Sequence, residues 1–150
     1  MVYGFLKKDV YFPVKFDVLG EGDFGAGEKA VYYGVDSNTK ANFREYVDVL
    51  FYNSSEDFCI VLKTTDSDLV YLYRTSEDKS FAELYSDMMF KGKRYYDDVK
   101  LSEIDELKIP YLKFDEEQII EGFSGKLIAG ASLGIDKAME SVVFSMNNIG

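Results

Sequence analysis

The sequence predicts an α+β fold: mostly antiparallel β-sheet with hairpins and one or two short helices. Three observations point there. Runs rich in β-branched and aromatic residues recur along the chain, separated by short polar turns. Stripes of apolar residues at helical spacing are few. The composition, 47% hydrophobic and 29% charged, is that of a folded globular chain. A length of 150 residues favours one domain and suffices to bury roughly two-thirds of the unfolded surface.

The first strand is expected over Val10 to Leu19. Phe12, Val14, Phe16 and Val18 alternate with Pro13, Lys15 and Asp17, a period of two. Pro13 has no N–H to give to a ladder, so this strand belongs at a sheet edge. A glycine-rich turn is expected at Gly20 to Gly27, then strands at Lys29 to Val35, Glu45 to Tyr52, Asp57 to Thr64 and Asp68 to Tyr73. The polar linkers Asn53-Ser54-Ser55-Glu56 and Thr65-Asp66-Ser67 make the last three two adjacent hairpins. Ser80-Phe81-Ala82-Glu83 fits a capping box, in which serine and glutamate satisfy each other's free amides, and predicts a helix from Ser80 to Phe90. A one-turn helix is expected at Ser102 to Asp105. Strands are expected at Ile109 to Phe114 and from Lys137 to Met146, where Val142-Val143-Phe144 outweighs the helical leaning of Ala138-Met139-Glu140.

Charge and residue counts exclude several functions. Seventeen Lys and Arg against 27 Asp and Glu give a net charge of −10, the wrong sign for a phosphate backbone or an anionic membrane. No apolar run reaches the length of a transmembrane helix, and Met1 to Lys8 lacks a signal-peptide layout. One cysteine and no signal are compatible with the cytoplasm. The absence of histidine removes Ser–His and Cys–His catalysis, His-ligated zinc and histidine pH switching from this chain alone.

Each chemically suggestive motif has an ordinary explanation. Gly20-Glu21-Gly22-Asp23-Phe24-Gly25 spells G-x-G-x-x-G, as in dinucleotide-binding and kinase glycine loops. The residues that follow read as a strand rather than a helix, no strand lysine follows, and Glu21 and Asp23 would repel phosphate. The carboxylate pairs Glu116-Glu117, Asp97-Asp98, Asp66/Asp68 and Glu21/Asp23 have no metal-ligand spacing and read as a solvated acidic surface. Cys59, inside Phe58-Cys59-Ile60-Val61-Leu62, reads as a small buried hydrophobe with no base beside it. Asn53-Ser54-Ser55 matches a glycosylation sequon, relevant only in a secreted eukaryotic protein. The 24 Tyr and Phe residues, among them Tyr32, Tyr33, Tyr71, Tyr73, Tyr95 and Tyr96, are read as core bulk rather than a recognition surface. No cofactor and no metal are implied.

Four segments, in order, resemble the second half of a serpin, the serine-protease-inhibitor family. Val49-Leu50-Phe51-Tyr52 with Phe58-Cys59-Ile60-Val61-Leu62 is similar to the family hairpin V-L-E-L-P-Y-K-G…F-S-M-V-I-L-L-P. Lys79-Ser80-Phe81-Ala82-Glu83-Leu84 resembles the helix start K-S-L-E-E-L, and Ile109-Pro110-Tyr111-Leu112-Lys113-Phe114-Asp115 the strand L-P-K-F-K-I-E. Asp136 to Gly150 aligns without a gap on S-K-V-V-H-K-A-F-I-E-V-N-E-E-G, with Lys137, Asn147 and Gly150 identical. Glu140 stands where the family usually has a histidine, and Asn148-Ile149 replace a Glu-Glu pair. The sequence stops where the family's hinge and reactive-centre loop begin. The resemblance spans about residues 45–150. It implies a mixed, strongly bent sheet with 137–146 as a central strand covered on both faces, and a serpin-like fragment or a reduced, non-inhibitory relative.

The expectation is therefore a non-enzymatic, protein-binding chain. Its candidate contact residues are those of two strand edges suited to strand addition or self-association: Phe12, Val14 and Phe16, and Val142, Phe144 and Met146. The alternative is an acidic, inhibitor- or immunity-type domain docking on a basic protein. A carboxylate-based enzyme is the third reading.

Overall fold

The computed structural model describes residues 7–25, 27–39, 41–94, 99–122, 125–127 and 137–150. Tyr95, Tyr96, Asp97 and Asp98 lie outside the described residues. The chain divides into two compact units, Met1–Pro110 with Asn148–Gly150, and Tyr111–Asn147. The architecture is α+β, and among the described residues every strand pairing is antiparallel.

In the first unit, β1 (Asp17–Gly25), β2 (Glu28–Val35) and β7 (Leu107–Pro110) form a sheet in the order β1-β2-β7. Pro110 is accommodated because β7 is an edge. A second sheet has the order β5-β4-β3-β6, from β3 (Val47–Ser54), β4 (Asp57–Lys63), β5 (Leu69–Arg74) and the two-residue β6 (Val99–Lys100). The two expected hairpins are β3–β4 and β4–β5. A 3-10 helix, Ala41–Tyr46, precedes β3.

Helix α1 (Phe81–Gly92) begins where the capping box places it: the Glu83 carboxylate accepts the Ser80 amide at 3.0 Å and also the Ser80 hydroxyl. These hydrogen bonds from Ser80 hold the Glu83 carboxyl below its usual range. Met88 of α1 packs with Phe51 and Cys59 of the second sheet.

The core of this unit includes Phe16, Tyr33, Val35, Val47, Phe51, Cys59 and Leu62, all fully buried. Burying each large apolar side chain contributes about 1.5–3 kcal/mol. Gly34 allows the backbone of β7 to approach: a Cβ there would lie 2.0 Å from the Leu107 carbonyl oxygen, at a φ of +148°.

The start of the chain corrects the expected first strand. Residues 10–16 alternate inward and outward, but they pair with no strand. Their backbone bonds go elsewhere: Phe12 N donates to the Ile149 carbonyl and Phe16 N to the Asn148 carbonyl, each at 2.9 Å. The Asn148 side-chain amide donates back to the Phe16 carbonyl at 2.9 Å. Phe12 and Phe16 are buried and meet edge to face with ring centroids 5.1 Å apart. Phe12, Val14 and Phe16 thus do not form a strand edge, since their period of two records core packing without a ladder. Strand β1 starts instead at Asp17 and runs through the glycine motif. Residues 102–105 make a turn, closed by Asp105 N donating to the Ser102 carbonyl at 3.2 Å, rather than a helix.

The second unit is built on β8 (Leu112–Ile119) and β9 (Met139–Met146), an antiparallel two-stranded sheet. The strand expected over 109–114 is divided at Tyr111 between β7 and β8. Strand β9 forms where its β-branched residues indicate, but among the described residues it pairs with β8 alone and is exposed at every position except Met146. A central strand covered on both faces is not what these residues form.

Candidate binding edge

The register of β8 and β9 sorts their side chains onto two faces. One carries Leu112, Phe114, Glu116 and Gln118 opposite Met146, Phe144, Val142 and Glu140. The other carries Lys113, Asp115, Glu117 and Ile119 opposite Ser145, Val143, Ser141 and Met139. Two cross-strand contacts hold this register. Phe114 and Phe144 stack with centroids 5.1 Å apart, and the Gln118 amide donates to the Glu140 carboxylate at 2.8 Å. Such cross-strand pairs each contribute about 0.2–1 kcal/mol.

The two outer edges of this sheet differ in charge. Strand β8 carries Lys113, Asp115, Glu116 and Glu117. Charged side chains along an edge discourage a further strand from adding. Strand β9 has one charge, Glu140, and from Ser141 to Met146 none. Within that stretch Val142 is 42% exposed, Val143 68% and Phe144 38%. An uncharged, apolar, extended segment with an unpaired backbone edge among the described residues is a template for strand addition. Of the expected contact residues, Val142 and Phe144 lie on this exposed edge, and Met146 is on the same strand but buried.

The other sequence motifs take ordinary structural places. Gly20 to Gly25 lies in β1, paired residue by residue with β2 apart from two irregularities, so its amides serve a ladder. Glu21 and Asp23 are exposed on that strand. Cys59 is fully buried, and burial pushes its thiol up to about 12, which leaves it unreactive at neutral pH. Asn53 donates to the Asp57 carboxylate at 2.9 Å. The aromatic residues divide: Tyr33, Phe16 and Phe51 are core, whereas Tyr52, Tyr71, Phe81 and Tyr85 are exposed. Among the described residues no group of three or more acidic or thiol side chains is gathered as metal ligands.

A dense polar cluster joins α1 to the second sheet. Lys91 Nζ lies 2.9 Å from Asp57 Oδ1, 2.9 Å from Asp87 Oδ2 and 2.9 Å from the Tyr73 hydroxyl. That hydroxyl donates to Asp87 at 2.7 Å. The ammonium also sits over the Phe51 and Tyr73 rings, 5.6 and 5.3 Å from their centroids. Partial burial opposes the lysine's charge, but hydrogen bonds with Tyr73, Asp57 and Asp87 outweigh it and hold the pKa well above the ordinary lysine value. The Asn53 amide and then Lys91 lower Asp57, and the Tyr73 hydroxyl and then Lys91 lower Asp87. The lysine is therefore fully protonated at neutral pH and cannot act as a base or nucleophile there; the cluster fastens α1 to the β3–β4–β5 sheet. Sequence reasoning missed it. Asp87 and Lys91 at i, i+4 were its one local signal, because Asp57 and Tyr73 arrive from other strands.

A concave cleft of about 690 Å³ lies on the first unit, lined by residues including Val49, Phe58, Ile60, Val99 and Leu107. Its two carboxylates are engaged locally: Asp105 accepts the Ser102 amide at 2.7 Å, and Glu106 lies 3.7 Å from Lys108.

No family model, curated protein or solved structure matches the chain.

Proposed function

We propose that this chain is a non-enzymatic protein-binding module that takes up an extended segment of a partner as an added strand on the outer edge of β9. The observation that carries this reading is the contrast in edge charge. Strand β8 is guarded by four charged residues, and the facing strand exposes an uncharged run, Ser141 to Ser145, on its open side. A two-stranded sheet alone is marginal in water, so a third strand contributes stability as well as affinity. The partner segment that fits is extended and carries apolar residues beside Val142 and Phe144 and small residues beside Ser141 and Ser145. The serpin resemblance gives this reading a family context and rests on the four sequence segments alone.

The test is selection of random nine-residue peptides, displayed on phage, against the full chain. Selected peptides are expected to be uncharged, to alternate in apolar character, and to shift the backbone amide signals of 141–145. Selected peptides that instead shift residues of the first unit, such as the exposed Phe81–Tyr85 face of α1, would overturn the reading.

A second reading has support from net charge: docking of a basic protein on the acidic run Asp115-Glu116-Glu117. Salt separates the two. Acidic–basic docking weakens steeply as ionic strength rises, whereas strand addition by an uncharged segment changes little.

A further inference from the structure

We infer that the strand received by β9 is the β9 of a second copy of this chain, paired antiparallel about a two-fold axis through Val143; this rests on the strand-addition reading above. The sequence of the open edge carries the inference. Ser141-Val142-Val143-Phe144-Ser145 is close to symmetric about its centre. In an antiparallel pair related by a two-fold axis perpendicular to the sheet, residues whose numbers sum to a constant face each other. That sum must be even, because only then do side chains of one face meet side chains of the same face.

Centring on Val143 sets Val143 against Val143, Val142 against Phe144 twice, and Ser141 against Ser145 twice. All ten residues are uncharged and exposed, and every pairing joins like with like. Centring one residue earlier sets Glu140 against Phe144. Centring on Val143 moves Glu140 to the end of the pairing, opposite Met146. On one face, the stacked Phe114 and Phe144 of each copy then continue into the Val142 of the other.

The arrangement closes on itself. The product is a four-stranded antiparallel sheet, β8-β9-β9-β8, whose two outer edges are the charged β8 strands. Each unguarded edge is used once and only guarded edges remain, so growth stops at the dimer rather than running on to a filament. Five paired residues bury less than a standard interface, so the association is weak and concentration-dependent. Two chains of net charge −10 repel at long range, so added salt should tighten the dimer, opposite in sign to docking on a basic partner.

Cysteine cross-linking reads the register directly. The native Cys59 is fully buried and contributes no background. Directly opposed residues in an antiparallel pair bring their Cβ atoms within about 5.5 Å, so Val143→Cys is expected to oxidise to a covalent dimer with itself. Ser141→Cys alone is expected to stay monomeric, because it faces Ser145, and the Ser141→Cys, Ser145→Cys double variant to cross-link. Val143 is the most exposed of the three apolar residues of the run, so its substitution leaves the fold intact. In sedimentation equilibrium the wild-type chain should show a dimer that tightens from 50 mM to 500 mM salt, and Val143→Lys should be monomeric throughout. Absence of a Val143→Cys dimer, or equal cross-linking by Ser141→Cys, overturns the inference. If the wild type is monomeric while selected peptides still bind 141–145, the second copy is wrong and strand addition stands. If neither binds there, both fail.

Discussion

Strands β4 and β9 look alike as sequence and differ in their surroundings. Phe58-Cys59-Ile60-Val61-Leu62 and Ser141 to Met146 are both uncharged and both lack clear alternation. The first lies between β3 and β5, with Cys59, Ile60, Val61 and Leu62 all buried. The second has one neighbour among the described residues and is exposed from Met139 to Ser145. An apolar run without alternation indicates a strand meant to be covered. In β4 the chain's own sheet and helix supply the cover. Among the described residues β9 keeps an open edge and is exposed on both faces from Met139 to Ser145, and that deficit is the basis for proposing β9 as the binding strand.

Breaking the comparison at its buried end should have the largest effect. Leu62→Ala removes a fully buried side chain and is expected to cost about 2–5 kcal/mol in urea denaturation, whereas Val143→Ala should change stability by about 0.5 kcal/mol or less. Similar losses at the two sites would mean that β9 is as covered as β4.

The polar fastening of the covered sheet should come next. Lys91→Met leaves Asp57 and Asp87 without their shared cation and is expected to destabilise by about 1–3 kcal/mol. Both carboxyls have native pKa values lowered from 3.8, so the stability they contribute is present above that value and is lost as pH falls below it. Lys91 is raised from 10.5, so its contribution is complete below that pH and is lost only above it. Thermal melts from pH 2 to 7 should show the acid loss in the wild type and a shallower one in Lys91→Met. Equal slopes would remove the cluster from the account.

A smaller effect is expected at the helix start. Ser80→Ala should lower stability by about 1 kcal/mol and leave β9 behaviour unchanged. A change in peptide binding or dimerisation on losing this cap would indicate that the open edge depends on α1.

What the sequence made legible follows from range. Hairpins β3–β4 and β4–β5 were readable because strand, turn and strand are contiguous, and α1 because its capping box spans four residues. The residue types of Val142-Val143-Phe144 correctly indicated a strand. Whether that strand is covered depends on partners far along the chain or outside it, so the expectation of a covered strand failed there, whereas the expectation of a buried Cys59 in β4 held. Residues 10–16 show the same limit. Their period of two is genuine, but Asn148, Ile149 and the Thr65 amide supply their hydrogen bonds, so no ladder forms. In the Lys91 cluster, the spacing of Asp87 and Lys91 was local, while Tyr73 and Asp57 lie 18 and 34 residues away.

The most direct test of the open edge is residue-resolved amide hydrogen exchange on the chain at low micromolar concentration. In an edge strand, alternate amides face the neighbouring strand and the others face solvent. The account predicts that within Ser141 to Ser145 every second amide exchanges near its intrinsic rate while its neighbours, bonded to β8, are protected, and that β4 is protected throughout. Uniform protection of 141–145 in the dilute chain would mean that the edge is already covered, and would contradict the assignment of β9 as the binding strand.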